Sequence, residues 1–268
     1  MKYKLIVSDY DGTLIKKDGT IEQTQISTIH DYISRGGIFA IITGRMTASI
    51  LPLAKKLGLS GLIASFNGGE VTDIETGKHL YSQFIPCETA VEIFKITEQE
   101  NAYTQGYRQE NYFYSYHTWV SDVYENLTGV KGIELNQNLS KHFLDNNYST
   151  HKILVMDKKE ILDKVYPKLL PFADKLNVIR SNDTQIEITD KNTSKAGALK
   201  YLAEKFNIDI NQTIAVGDGG NDASMLAFAG LGIAVSNAEE LAKQSAKVVL
   251  EYSNDQNAVE HIIKKYTF

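Results

Sequence analysis

Short apolar runs, each followed at once by a polar or glycine-rich turn, recur near both ends of this chain. Four of them cover residues 5–7, 38–42, 62–64 and 213–216. Runs this short and continuous are typical of strands that are buried on both faces of a parallel sheet. Segments with helical spacing of apolar residues separate them, and the one over residues 20–35 ends at the stop signal Gly36-Gly37. This alternation predicts an α/β fold with a doubly wound parallel sheet and helices on both faces.

The middle of the chain breaks this alternation, which resumes with a helical pattern over residues 194–206. We therefore expect residues 1–85 and 188–268 to form a core domain, and residues 86–187 to form an inserted α+β domain. The patterns in the insert predict helices over residues 88–100 and 158–170 and strands over residues 177–180 and 185–189.

Composition and charge narrow the classes of partner. The net charge is −5, so there is no basic excess to neutralise a nucleic-acid backbone, and we expect no nucleic-acid partner. No apolar stretch approaches the roughly twenty residues of a membrane span. Since the first residues also lack the pattern of a secretory signal, we expect a cytoplasmic protein without a membrane partner. Cys87 is the only cysteine, which excludes an intramolecular disulfide and a zinc site built on cysteines.

Two carboxylates stand at the end of the first apolar run, in Asp9-Tyr10-Asp11-Gly12-Thr13. Residues two apart in an extended chain point to the same side, so we expect the side chains of Asp9 and Asp11 to lie together. Ligands bind at this end of the strands in open parallel sheets. Like charges so close need a cation, and Mg²⁺ prefers carboxylates together with water and phosphate oxygens. We therefore expect a shared Mg²⁺ site, beside a Thr13 hydroxyl that can donate to phosphate.

Two further segments suggest phosphate binding. Thr43-Gly44-Arg45 follows the run 38–42, and a hydroxyl with adjacent backbone N–H groups there can hold a phosphoryl group. Lys195 stands where the helix over residues 194–206 begins, and its charge opposes the helix dipole there, so local structure gives no reason for it. Taken alone, the first segment is also an ordinary turn and the lysine an ordinary surface residue.

The turn over residues 217–222 carries two more carboxylates, in Gly217-Asp218-Gly219-Gly220-Asn221-Asp222. Asp218 and Asp222, with the amide of Asn221, can serve a metal and the groups around it. One of the two aspartates can equally cap the helix that follows. Asn67-Gly68 follows the run 62–64 and by itself indicates a hairpin turn.

The order of these motifs resembles that of the haloacid dehalogenase superfamily, and the insert is similar to the C2-type α/β cap of its Cof-type subgroup. The resemblance implies a Rossmann-like core with an inserted cap that determines substrate specificity. It also implies a Mg²⁺-dependent phosphatase that forms an aspartyl-phosphate. The expected substrates are small phosphorylated metabolites of the sugar phosphate, flavin mononucleotide or pyridoxal phosphate class.

The resemblance further implies a role for each motif residue. Asp9 would be the nucleophile, and Asp11 the general acid and base whose backbone carbonyl also binds Mg²⁺. Asp218 would be the remaining metal ligand, and Asp222 would support the site without binding the metal directly. The remaining expected roles are phosphate binding by Thr43, Gly44, Lys195 and Asn221, and substrate binding by Arg45, Asn67 and Gly68.

Several alternatives stay open on the sequence. A phosphomutase or other phosphotransferase would use the same intermediate with a hydroxyl acceptor. A non-catalytic protein would only bind a phosphorylated ligand, and an acidic phosphoacceptor domain would lack the insert. The Tyr-rich segment 103–119 is either a sheet face packed on a helix or an aromatic wall for a sugar or ring. The expected assembly is a monomer or a homodimer.

Overall fold

The structure is a computed structural model and describes residues 1–267. Its strands, numbered in chain order, are β1 (Leu5–Ser8), β2 (Ile38–Ile42), β3 (Leu62–Ser65), β4 (Glu70–Asp73), β5 (His79–Ser82), β6 (Thr104–Arg108), β7 (Asn111–Tyr114), β8 (Ile133–Glu134), β9 (Lys152–Met156), β10 (Leu176–Asn182), β11 (Gln185–Asp190), β12 (Thr213–Gly217), β13 (Leu231–Ala234) and β14 (Val248–Val249). Its helices are α1 (Gln23–Ser34), α2 (Thr47–Lys56), α3 (Cys87–Gln99), α4 (Trp119–Thr128), α5 (Leu139–Asp145), α6 (Lys159–Leu169), α7 (Lys195–Lys205), α8 (Ala223–Phe228), α9 (Glu240–Ser245) and α10 (Ala258–Tyr266).

Contacts within the chain divide it into two compact units, each with its own apolar core. The first unit comprises residues 1–45, 50–81 and the chain from 194 onward, and the second comprises residues 46–49 and 82–193. The main changes between units therefore fall at residues 81/82 and 193/194. The division into domains 1–85 with 188–268 and 86–187 stays a prediction.

The first unit is built on an eight-stranded sheet in the order β14-β13-β12-β1-β2-β3-β4-β5. The six strands from β14 to β3 run parallel, and β4 turns back antiparallel to β3. Four of the five residues of β2 are buried, as expected of a central parallel strand. The predicted α/β class with a parallel-sheet core is confirmed, and so is the hairpin turn at Asn67-Gly68, which joins β3 to β4.

Strand register aligns the carboxyl ends of three central strands. Ser8, the last residue of β1, pairs with Ile41 in β2 and with Val216 in β12. The residues that follow these strands therefore leave the sheet at one edge, where open parallel sheets bind their ligands.

The second unit has a six-stranded sheet in the order β10-β11-β9-β6-β7-β8. On one face, Phe94 of α3 and Phe143 of α5 pack in the apolar core with strand residues such as Ile153. On the other, Tyr107 and Tyr112 are buried, and both contact Tyr124 of α4. The Tyr-rich segment thus contains a sheet face packed on a helix.

Two aromatic residues of that segment behave differently. Tyr116 and Trp119 are 54% and 61% exposed, and they line a cavity of about 500 Å³ within the second unit.

None of the helices formed by residues 1–267 has the length and the apolar character that crossing a membrane requires.

Candidate active site

Asp9 is the first residue after β1, and its carboxylate is buried at the carboxyl edge of the sheet. Its backbone N–H donates to the carbonyl of Val216 in β12 at 2.9 Å, which continues the parallel pairing by one residue. The residue is only 6% exposed. A carboxylate taken out of water in this way needs a charged partner close by.

Lys195 supplies that partner. It is the first residue of α7, and its Nζ lies 2.5 Å from Asp9 Oδ1 and 2.5 Å from Asp222 Oδ1. The hydroxyl of Ser194 caps the helix by accepting from the N–H of Gly197. This cap fixes the first turn of α7, from which the Lys195 side chain projects. The Lys195 side chain is 1% exposed. The position of Lys195 at the start of a helix is therefore explained by its ion pairs with two carboxylates from distant parts of the chain.

Asp222 supports both the lysine and the loop of residues 217–222, called here the acidic loop. Its Oδ1 accepts from Lys195, and its Oδ2 accepts from the N–H groups of Asp218 and Gly219, each at 2.9 Å. Both oxygens of this carboxylate are therefore occupied in positioning other groups.

Asp218 lies across a narrow gap from the turn that follows Asp9. Its Oδ1 accepts from the Thr13 hydroxyl at 2.7 Å, so in this structure Thr13 donates to a carboxylate. A Cβ at Gly12 would stand 2.4 Å from Asp218 Oδ2, and Gly12 has φ +73°. Glycine is required here because the close approach and the left-handed backbone both exclude a side chain.

The site is short of positive charge. Burial, reinforced by Asp222 and Asp218 and only partly offset by Lys195, raises the pKa of Asp9 to about 8. Burial likewise raises the pKa of Asp218 to about 6, although the Thr13 hydrogen bond opposes it. Burial alone would lower the pKa of Lys195, but attraction to Asp9 and Asp222 raises it above its ordinary value. One lysine among three carboxylates leaves room for a further cation.

The donor set fits Mg²⁺. One carboxylate oxygen from each of Asp9, Asp218 and Asp222 lies within 4.8 Å of the others. Within residues 1–267, Asp9 Oδ2 and Asp218 Oδ2 accept no hydrogen bond, whereas both oxygens of Asp222 are used. Hard carboxylate oxygens of this kind are the ligands that Mg²⁺ prefers. Asp9 and Asp218 are thus the side chains best suited to bind the metal.

The expectation that the Asp9 and Asp11 side chains lie together in one metal site is wrong. The Asp11 carboxylate is paired with Arg45, whose Nε and Nη2 donate to Oδ2 and Oδ1 at 2.7 and 2.6 Å. The side chain of Asp11 is 51% exposed, and its oxygens do not belong to the cluster of Asp9, Asp218 and Asp222. The alternation of an extended chain does not apply here, because β1 ends at Ser8 and residues 10–14 form an irregular helical turn.

The turn after β2 lies beside these groups. Thr43 is buried, its Oγ1 accepts from the N–H of Arg45 at 3.1 Å, and its carbonyl accepts from the N–H of Asn67 at 2.8 Å. Gly44 faces the Asn67 amide, which a Cβ at Gly44 would approach to 3.2 Å. The amide nitrogen of Asn221 donates to Asn67 Oδ1 at 3.1 Å. The predicted phosphate-binding and substrate-binding residues of three loops thus meet in one place.

Gly68 has a packing role. A Cβ there would stand 2.6 Å from the carbonyl of Ser194 and 2.9 Å from Ala198 Cβ, and Gly68 has φ +93°. The absence of a side chain therefore lets the hairpin turn approach the start of α7, from which Lys195 projects.

Sequence patterns missed two residues that contact these loops. Asn237 donates from Nδ2 to the carbonyl of Gly12 at 2.8 Å, and Glu239 Oε2 accepts from the N–H of Gly220 at 2.9 Å. Their position in the sequence could have identified them, because they follow the buried strand β13, which lies beside β12 in the sheet. Polar residues at such strand ends are candidates for the site.

Comparisons with known proteins cover nearly the whole chain. The model of a family described as haloacid dehalogenase-like hydrolase matches residues 6–263. Phosphatase YwpJ of Bacillus subtilis is 27% identical over 97% of this chain and 99% of its own. The 5-amino-6-(5-phospho-D-ribitylamino)uracil phosphatase YcsE of the same organism is 26% identical over 97% and 93%. The crystal structure of a haloacid dehalogenase-like hydrolase from Bacteroides thetaiotaomicron superposes with a TM-score of 0.88, at 29% identity and 98% coverage of both chains.

Proposed function

This chain belongs to the haloacid dehalogenase-like hydrolase family and is an enzyme that hydrolyses phosphate esters, and we propose that it is a Mg²⁺-dependent phosphatase of small metabolites that works through Asp9. The observation that carries the proposal is the buried contact of Lys195 with both Asp9 and Asp222, in a cluster that also contains Asp218. Burying a lysine against two carboxylates is costly, so a role in binding an anion explains the arrangement better than stability does.

Asp9 is the proposed nucleophile. One of its carboxylate oxygens attacks phosphorus, a new O–P bond forms, and the bond between phosphorus and the ester oxygen breaks. Lys195 and Thr43 would stabilise negative charge on the phosphoryl oxygens. Asp9, Asp218 and the backbone carbonyl of Asp11 would hold Mg²⁺, which when bound supplies further positive charge to those oxygens.

Asp11 is the proposed general acid and base. It gives its proton to the departing alkoxide and then removes a proton from the water that attacks the aspartyl-phosphate. That attack releases inorganic phosphate and restores the Asp9 carboxylate. The two-point contact with Arg45 fixes the plane of the Asp11 carboxylate, and one of its two hydrogen bonds would open when Asp11 carries the proton.

The proposed substrate is a small phosphate monoester that carries a sugar or a ring. The name of the relative YcsE, a phosphatase of a phosphorylated ribitylaminouracil, supports this class for the present chain. A panel of sugar phosphates, flavin mononucleotide, pyridoxal phosphate and nucleotides, assayed with and without Mg²⁺, would identify the preferred member.

The central test is the release of phosphate from a generic phosphate monoester by wild type and by Asp9→Asn. Asp31→Asn, an exposed aspartate on α1, is the matched control. We expect activity in wild type and in the control and none in Asp9→Asn; turnover by Asp9→Asn would refute the mechanism. Consumption of the monoester only when an alcohol is added, with the phosphoryl group recovered on that alcohol and not as inorganic phosphate, would instead identify a phosphotransferase.

A further inference from the structure

The segment of residues 236–239, which follows β13, contacts two loops of the site at once. The amide of Asn237 donates to the carbonyl of Gly12 at 2.8 Å, in the turn after Asp9. The Glu239 N–H donates to the carbonyl of Asp218 at 2.8 Å, and Glu239 Oε2 accepts from the N–H of Gly220 at 2.9 Å. One short segment therefore contacts both the turn of residues 9–15, called here the nucleophile turn, and the acidic loop.

These contacts act where the two loops come closest. Gly12 faces Asp218 so tightly that no side chain fits between them. The nucleophile turn is also held further along, since Asn237 Oδ1 accepts from the N–H of Asn254 at 3.0 Å and Asn254 Nδ2 donates to the carbonyl of Ile15 at 2.8 Å. Small displacements of either loop would therefore change the distance between the carboxylates of Asp9 and Asp218.

The 236–239 segment does not need these two side chains for its own conformation. Its backbone is held by the N–H of Ser236, which donates to the carbonyl of Tyr252, and by the N–H of Ala238, which donates to the carbonyl of Val235. The side chains of Asn237 and Glu239 are exposed, and exposed hydrogen bonds add little to stability. Stability of the fold therefore does not explain why these two side chains contact the loops.

We propose that Asn237 and Glu239 are positioning residues that set the separation of Asp9 and Asp218 for binding Mg²⁺. This inference rests on the proposed function, because it assumes that the cluster is a metal site. Replacing a residue that orients metal ligands without binding the metal itself typically weakens metal affinity by about 10–100-fold. Since Asn237 and Glu239 are exposed, we expect the lower end of that range.

The test is calorimetric titration of the full-length, metal-free protein with Mg²⁺. Asn237→Ala and Glu239→Ala should each raise the dissociation constant about tenfold. Glu239→Gln keeps an oxygen that can accept from Gly220 and should bind Mg²⁺ like wild type. At saturating Mg²⁺ the KM for a phosphate monoester should not change, because neither side chain contacts the phosphate-binding groups. Asn211→Ala is the matched control, since Asn211 is an exposed asparagine whose side chain, among residues 1–267, hydrogen-bonds only to Asp209 in its own turn.

The outcomes separate the two proposals. Wild-type affinity in both alanine variants would overturn the positioning role, and so would a wild type that does not bind Mg²⁺. A wild type that binds Mg²⁺, with weaker binding in the alanine variants but no hydrolysis of any phosphate monoester, would support the positioning role and refute only the proposed function. Equal weakening in Glu239→Gln and Glu239→Ala would overturn the assignment to the hydrogen bond with Gly220.

Discussion

The guanidinium of Arg45 holds the carboxylate of Asp11 in a two-point ion pair, with N–O distances of 2.6 and 2.7 Å. The pair joins the turn after β1 to the turn after β2 and is partly exposed, at 32% for Arg45 and 51% for Asp11. Exposed pairs contribute at most about 1 kcal/mol to stability, so its main effect is to orient the carboxylate.

Replacing Arg45 should therefore impair catalysis more than folding. Arg45→Met should lower kcat by about 10–100-fold, less than the roughly 10²–10⁴-fold that complete loss of acid–base catalysis can cause. Arg45→Lys should not restore kcat, because an ammonium cannot make the planar two-point contact. Steady-state kinetics and urea unfolding check this, and wild-type kcat in Arg45→Met would contradict it.

Replacing Lys195 should destabilise the metal-free protein. Lys195→Met leaves the buried carboxylates of Asp9 and Asp222 without their cation, which typically costs about 3–5 kcal/mol in the free energy of unfolding. The double variant Lys195→Met/Asp222→Asn should recover part of the loss. Urea unfolding with a chelator measures both. A loss below about 1 kcal/mol, the range of surface pairs, would contradict the buried geometry.

The metal-free protein should lose stability as the pH rises. Because burial raises the pKa of Asp9 from 3.8 to about 8, the folded state keeps this proton longer than the unfolded state does. The contribution is complete below about pH 4 and is lost as the pH rises to about 8. Asp218 acts in the same direction up to about pH 6.

Thermal unfolding at several pH values, with a chelator, checks this dependence. Asp9→Asn cannot ionise, so its stability relative to wild type should increase between pH 5 and pH 8. Mg²⁺ should stabilise wild type more at pH 8 than at pH 5, since it binds the ionised carboxylates. A difference between Asp9→Asn and wild type that is independent of pH would contradict the raised pKa.

Gly12→Ala should weaken Mg²⁺ binding, whereas Gly19→Ala should not. Both glycines have positive φ, at +73° and +81°, so each alanine should cost about 1–2 kcal/mol in backbone strain. At Gly12 the new Cβ would meet Asp218 Oδ2, whereas at Gly19 no atom of residues 1–267 would lie within 4 Å of it. Mg²⁺ titration and urea unfolding of both variants separate strain from displacement. Equal Mg²⁺ affinity in the two variants would contradict the close approach.

Most of the first unit could be predicted from local patterns. Parallel strands buried on both faces are continuous apolar runs, and the carboxyl ends of such strands share one edge. Asp9, Thr43 and Asp218 could therefore be grouped from the sequence alone. The sequence predicts phosphate binding by Lys195 but not its contact with Asp9, because the two residues lie 186 positions apart in the chain.

One helix of the second unit was not predicted although its pattern is present in the sequence. In α4, the apolar residues 119, 120, 123, 124 and 127 recur at helical spacing and lie on one contiguous side of the helix. Val120 and Tyr124 are buried, whereas Trp119, Val123 and Leu127 are exposed. The pattern therefore indicates the helix, but which part of its apolar side is buried depends on the tertiary structure.

The sequence by itself determined the parallel-sheet core and the position of each motif at a strand end, because burial on both faces and turn chemistry are local properties of the chain. Only the tertiary structure decided that Asp9 faces Lys195, that Asp11 faces Arg45, and that Asn237 reaches the nucleophile turn. The physical reason is that a charged or amide side chain turns toward the partner that satisfies it, and these partners come from distant parts of the chain.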